Sequence, residues 1–142
     1  MKKILFSLIF IILLGCISDR DKYIQNTLNE LEKVPNFSIS KYNYVVIIPG
    51  AGCSGCISEA ESFFLENSND SIYFVFTNIY SLKYLKLRTK NKINNSNVFI
   101  DKENKLLNSN IQENIYPIIF NLKNKSNIKY DFLDPGLNLD LY

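Results

Sequence analysis

Histidine is absent from the 142 residues of the chain. That excludes a Ser-His or Cys-His nucleophile pair, a histidine-ligated zinc or copper centre and a histidine proton shuttle built from this chain alone. Cysteine is scarce, occurring only as Cys16, Cys53 and Cys56. Neither sign of charge dominates, with 16 Lys and Arg against 14 Asp and Glu, so the footprint expected of a nucleic-acid binder is missing. The apolar stretch from Ile4 to Leu14 falls short of the roughly 18 residues that a membrane-spanning helix requires. No internal repeat and no second domain appear. What is present is globular material: 46% hydrophobic and 21% charged residues fit one domain with a real core and exclude disordered, collagen-like and coiled-coil chains.

The N-terminus reads as an address. Lys2 and Lys3 precede the apolar stretch, which ends in Leu13-Leu14-Gly15-Cys16. A positive head, about 7–15 apolar residues and a small residue at the cut describe a secretory signal peptide. The end of the stretch resembles the bacterial lipobox, which implies cleavage before Cys16 and lipid on its thiol and amine. The expected organisation is a signal peptide over 1–15, a lipidated tether over 16–20 and one domain over 21–142. Loss of Lys2 and Lys3 equalises the charges, and several acyl chains hold a protein to a membrane more firmly than one. The expected location is the extracytoplasmic or periplasmic face of a cell-envelope membrane. With Cys16 acylated, Cys53 and Cys56 are the remaining thiols, and an oxidising compartment lets them persist as a disulfide. A closed zinc site would then need carboxylates or a second chain, so no metal and no cofactor are expected.

Along the chain, Ile24, Leu28 and Leu31 recur at helical spacing and predict an amphipathic helix over 21–34, stopped by Pro35. Tyr44 to Ile48 and Ile72 to Phe76 are short apolar runs rich in β-branched and aromatic residues, the pattern of buried strands. Between them lies a helix with Ile57, Ala60, Phe63 and Phe64 on one face and Glu59, Glu61 and Glu66 mostly off it. Strand, helix, strand at this spacing predicts a right-handed βαβ unit. Leu82, Leu85 and Leu87 suggest a surface helix, Val98 to Ile100 a third strand, and Lys105 to Ile111 a short, weakly favoured helix. Pro117 to Phe120 and Ile128 to Phe132 predict two strands joined through Asn124-Lys125-Ser126, the second alternating apolar and polar residues as an antiparallel strand with one wet face does.

The chemistry sits in Cys53-Ser54-Gly55-Cys56, at the junction of the first strand and the following helix. A Cys-x-x-Cys in that context is a redox signature. At a helix N-terminus, unpaired N–H groups and the helix dipole stabilise a thiolate, and each pKa unit of lowering corresponds to about 1.4 kcal/mol. Cys56, in the first turn, is close enough to attack a mixed disulfide formed by Cys53. Gly55 is expected to let the turn close tightly.

From Tyr44 to Leu133 the order of elements around this motif resembles the thioredoxin-like superfamily, in particular the membrane-anchored TlpA/ResA-type thiol-disulfide oxidoreductases. The resemblance implies an α/β fold with a mixed central sheet flanked by helices. It also implies catalysis by Cys53 and Cys56, and a cis Pro117 in a loop opposite them, with the backbone of Tyr116 helping to hold a substrate peptide. Partners are then protein thiols and disulfides together with an upstream electron donor. The sequence departs from the family in three places. Gly52 replaces the aromatic residue before the first cysteine. Apolar Ile47 occupies the position of the buried acid, with Glu59 and Glu61 read as solvated. Asp134-Pro135-Gly136 leaves too little chain for the C-terminal helix, so either the N-terminal helix covers that sheet face or a partner does. The sequence favours a reductase of envelope disulfides. The alternative is a non-catalytic binding lipoprotein with a structural disulfide.

Overall fold

Two runs of β-branched and aromatic residues, Tyr44–Pro49 (β1) and Ile72–Thr77 (β2), are buried along their whole length at the centre of a five-stranded sheet. In this computed structural model of the protein, the residues described are 18–67, 70–107 and 114–133. The segment read as a signal peptide, the lipidation candidate Cys16 and the stretch from Asp134 onward lie outside them. The remaining strands are β3 (Val98–Ile100), β4 (Ile118–Asn121) and β5 (Lys129–Phe132), and the sheet order is β3-β2-β1-β4-β5. β1, β2 and β3 run parallel, whereas β4 lies antiparallel to β1 and β5 antiparallel to β4. The fold is therefore α/β with a mixed sheet and, among the described residues, three α-helices: α1 (Asp19–Leu31), α2 (Ser54–Glu66) and α3 (Leu82–Arg88).

Successive strand residues point to opposite faces, and β1 divides its side chains accordingly. Val45 and Ile47 join Tyr23, Ile24 and Leu31 of α1, with Phe120 and Tyr130, in one apolar cluster. Val46 and Ile48 join Ile57, Ala60 and Phe64 of α2, Leu85 of α3, Phe74 and Phe76 in the other. The helix α1 thus covers the face that the sequence left open. It starts on a Ser18 cap, whose hydroxyl accepts from the Asp21 amide at 3.1 Å, with Asp19 and Asp21 complementing the helix dipole in its first turn. Arg20 fastens it to β5: the guanidinium sits 4.5 Å above the Tyr130 ring, donates to the Tyr130 carbonyl and pairs with Asp131 at 3.7 Å.

Two expectations are corrected. The helix predicted over 21–34 ends at Leu31, and Val34 instead accepts from the Phe37 amide in a turn; a residue before proline is disfavoured in the helical region, so the helix stops ahead of Pro35. Lys105 and Leu106 are in a turn, not a helix, because the buried Asp101 carboxylate takes their amides at 3.0 and 2.9 Å. Residues 108–111 of that predicted helix lie outside the described residues.

Candidate functional site

The chain leaves the C-terminal end of β1 at Pro49 and returns as α2 at Ser54. The loop between them is held against two other segments at its glycines. A β-carbon on Gly50 would strike the Asn78 carbonyl, and one on Gly52, whose φ is +140°, would lie 2.7 Å from the Ile115 α-carbon. Only glycine satisfies both the positive φ and the close approach. With Gly52 pressed there, the Cys53 amide donates to the Ile115 carbonyl at 3.1 Å.

Cys53 caps α2. Its Sγ accepts from the Cys56 amide at 3.4 Å, and its carbonyl accepts from Ile57 at 2.9 Å. Cys53 and Cys56 form a disulfide with Cα atoms 5.3 Å apart. The first sulfur belongs to a partly exposed residue, whereas Cys56 is only 1% exposed. A nucleophile or a partner thiol therefore has access to Cys53 and not to Cys56. No acidic side chain occupies the first turn of α2, so nothing there opposes a negative charge on the capping sulfur.

Ile118 at the start of β4 pairs with Ile47 of antiparallel β1. That register brings residues 115–117 to the end of the sheet where the cysteine loop emerges. Tyr116 is half-buried and meets Phe132 edge-on at 5.8 Å. Pro117 is buried, and its carbonyl accepts from the Leu133 amide at 2.8 Å. The structure thus brings Cys53, Cys56, Tyr116 and Pro117 to one end of the sheet. The Tyr116–Pro117 bond itself is trans, since no described peptide bond is cis; this corrects the cis bond implied by resemblance and matches the ordinary preference of an X-Pro bond.

Other side chains singled out in the sequence fall elsewhere. Ile47 is buried in an apolar cluster, so no acid stands beneath the cysteines from β1. Glu59 is exposed as expected, but Glu61 is 7% exposed and reaches Arg88 of α3 at 3.1 Å. Burial raises its pKa above the usual 4.5, with Arg88 opposing the rise. The solvated reading of Glu61 fails because helical periodicity could not show that α3 delivers an arginine to that face. Gly55 is exposed and a β-carbon there would touch nothing, so the glycine that the loop needs is Gly52. The sequence shows a glycine in the loop directly before the motif, but not how closely Ile115 approaches it.

Among the described residues, no group of three or more His, Cys, Asp or Glu side chains is placed to hold a metal ion. No helix among them is long and apolar enough to cross a membrane. Compared with protein-family models, with curated proteins and with solved structures, the chain finds no match. The chemistry of the site is that of its two sulfurs: a disulfide compatible with a Cys-x-x-Cys redox motif.

Proposed function

We propose that the chain is a thiol-disulfide oxidoreductase of thioredoxin-like fold, held to the extracytoplasmic side of an envelope membrane by lipid on Cys16. The observation that carries the reading is a disulfide whose partly exposed member caps a helix, with its partner buried in the first turn. The proline-preceded β4 beside β1 and the Ile115 contact to Cys53 support a substrate-facing rim at Tyr116 and Pro117. In the reduced protein, the Cys53 thiolate attacks one sulfur of a substrate disulfide and expels the other as a thiolate. The Cys56 thiol, losing its proton, then attacks the Cys53 sulfur of the mixed disulfide. The substrate leaves as a dithiol, and two electrons have passed to it from the Cys53–Cys56 pair. A dithiol donor upstream restores the pair. Ser54 and Gly55 bring no charge between the cysteines, which supports a reductase rather than a strong oxidant.

Equilibration with glutathione buffers, read by thiol alkylation and mass, tests the reading. A redox-active pair titrates within such buffers and Cys53 ionises below the ordinary thiol value of about 8.5. Cys56→Ser accumulates mixed disulfides through Cys53. A potential below roughly −300 mV with no trapped partner identifies a structural bridge instead.

A further inference from the structure

The large hydrophobic side chains left exposed among the described residues are Tyr80, Tyr84 and Leu87, at 84%, 68% and 65%. All belong to α3 or the loop leading into it. The same stretch is one-sided in charge: residues 71–100 contain Lys83, Lys86, Arg88, Lys90 and Lys92 and no Asp or Glu. All five basic residues are exposed, although the whole chain carries a formal charge of only +2. Arg88 pairs with the buried Glu61 and Lys92 donates to the Leu65 carbonyl, but neither burial nor those bonds account for Tyr80, Tyr84, Lys83, Lys86 or Lys90. Leu85, at 0% exposure, already anchors α3 to the core, and Tyr84 and Leu87 flank it on the outward side.

This face adjoins the redox loop. Ile79, Tyr80, Ser81, Tyr84 and Arg88 line a hollow of about 200 Å³ together with Gly50, three residues before Cys53. A polypeptide lying along Tyr84 and Tyr80 therefore reaches the loop that carries Cys53. Exposed tyrosines give rigid apolar contact with a polar edge, and the lysines favour carboxylates and speed encounter with an acidic partner. A membrane is the poorer occupant. The anchor proposed at Cys16 joins α1, which Arg20 ties to β5, whereas α3 packs on the opposite face of the sheet from α1. Only Ile17 stands between Cys16 and Ser18, and those two chain steps span at most ~7 Å, too little to bring the far face onto the same bilayer.

We propose that the basic, tyrosine-bearing face of α3 docks an acidic segment of the protein disulfide that Cys53 reduces. The proposal rests on the exchange reading above, so its test separates the two. Reduced protein is mixed with three tyrosine-containing disulfide peptides that differ only in charge, one acidic, one neutral and one basic, and with uncharged hydroxyethyl disulfide. Second-order rate constants come from acid-quenched alkylation. The acidic peptide is expected to react about tenfold faster than the basic one at low salt, the gap closing as salt is added. Lys83→Glu/Lys86→Glu loses that advantage and Tyr84→Ala loses part of it, while hydroxyethyl disulfide reacts with all of them alike. Equal peptide rates with normal hydroxyethyl disulfide reduction overturn the docking face and leave the exchange reading standing. Inert hydroxyethyl disulfide overturns the exchange reading and the substrate role together; charge-reversal-sensitive binding of the acidic peptide to Cys53→Ser/Cys56→Ser protein then decides the face alone. Tight, Lys83- and Lys86-dependent binding to phosphatidylglycerol vesicles without discrimination among peptides assigns the face to a membrane and overturns the proposal.

Discussion

Gly52 and Gly55 stand on either side of Cys53 under opposite demands. Gly52 combines φ +140° with main-chain contact to Ile115, so Gly52→Ala adds backbone strain of about 1–3 kcal/mol and pushes the redox loop off Ile115. Gly55 lies inside α2 with open space around its α-carbon, and Gly55→Ala is expected to stabilise by about 0.4–1 kcal/mol. Urea titrations of the two variants should move in opposite directions; a neutral Gly52→Ala contradicts the close approach. Glu61 gives a pH signature. Its folded pKa lies above the usual 4.5 because burial disfavours the carboxylate, so over the interval between those values the folded state holds a proton that the unfolded chain has released. Stability therefore falls as pH rises through that interval and is level on either side. In Glu61→Gln that decline disappears, and the difference between the two stability profiles across acidic pH measures it.

Helices and strands show what the sequence displayed and what it hid. The β1–α2–β2 unit was legible because all three signals are local: continuous β-branched runs, helical spacing of Ile57, Ala60 and Phe64, and breakers at Pro49 and Gly50. The β4–β5 hairpin was legible through the alternation of its second strand. The Arg88 partner of Glu61 and the Thr77 partner of Asp101 were not, since each lies far along the chain from the carboxylate it meets. Nor was the glycine of the redox loop, because periodicity carries no information about how closely Ile115 approaches. Occupancy of the second sheet face was posed by the sequence as a choice, and α1 resolves it. Leu31, at 0% exposure in that contact, makes the element testable: Leu31→Ala should cost about 2–5 kcal/mol by denaturant unfolding, and a loss below 1 kcal/mol is inconsistent with α1 packed on the sheet.

At the scale of the whole molecule, the disulfide contributes little to holding the domain together. Its cysteines are three positions apart, and closing so short a loop stabilises by about 2 kcal/mol or less. Oxidised and reduced protein should therefore unfold in urea with equal slopes and differ by no more than that amount; a much larger gap marks the bridge as a clamp rather than an exchangeable pair. The stability of the domain resides in the two apolar clusters on either side of the sheet. A chain emerging into an oxidising compartment acquires the bond and its setting at different moments. The sulfurs are near neighbours, so a disulfide oxidant of that compartment can take their two electrons without tertiary help as soon as their own stretch has emerged. The carbonyl of Ile115 and the antiparallel strand behind it are synthesised late. A truncated translation product thus carries a correctly bonded pair with nothing to aim it, so oxidation state alone is no measure of maturation.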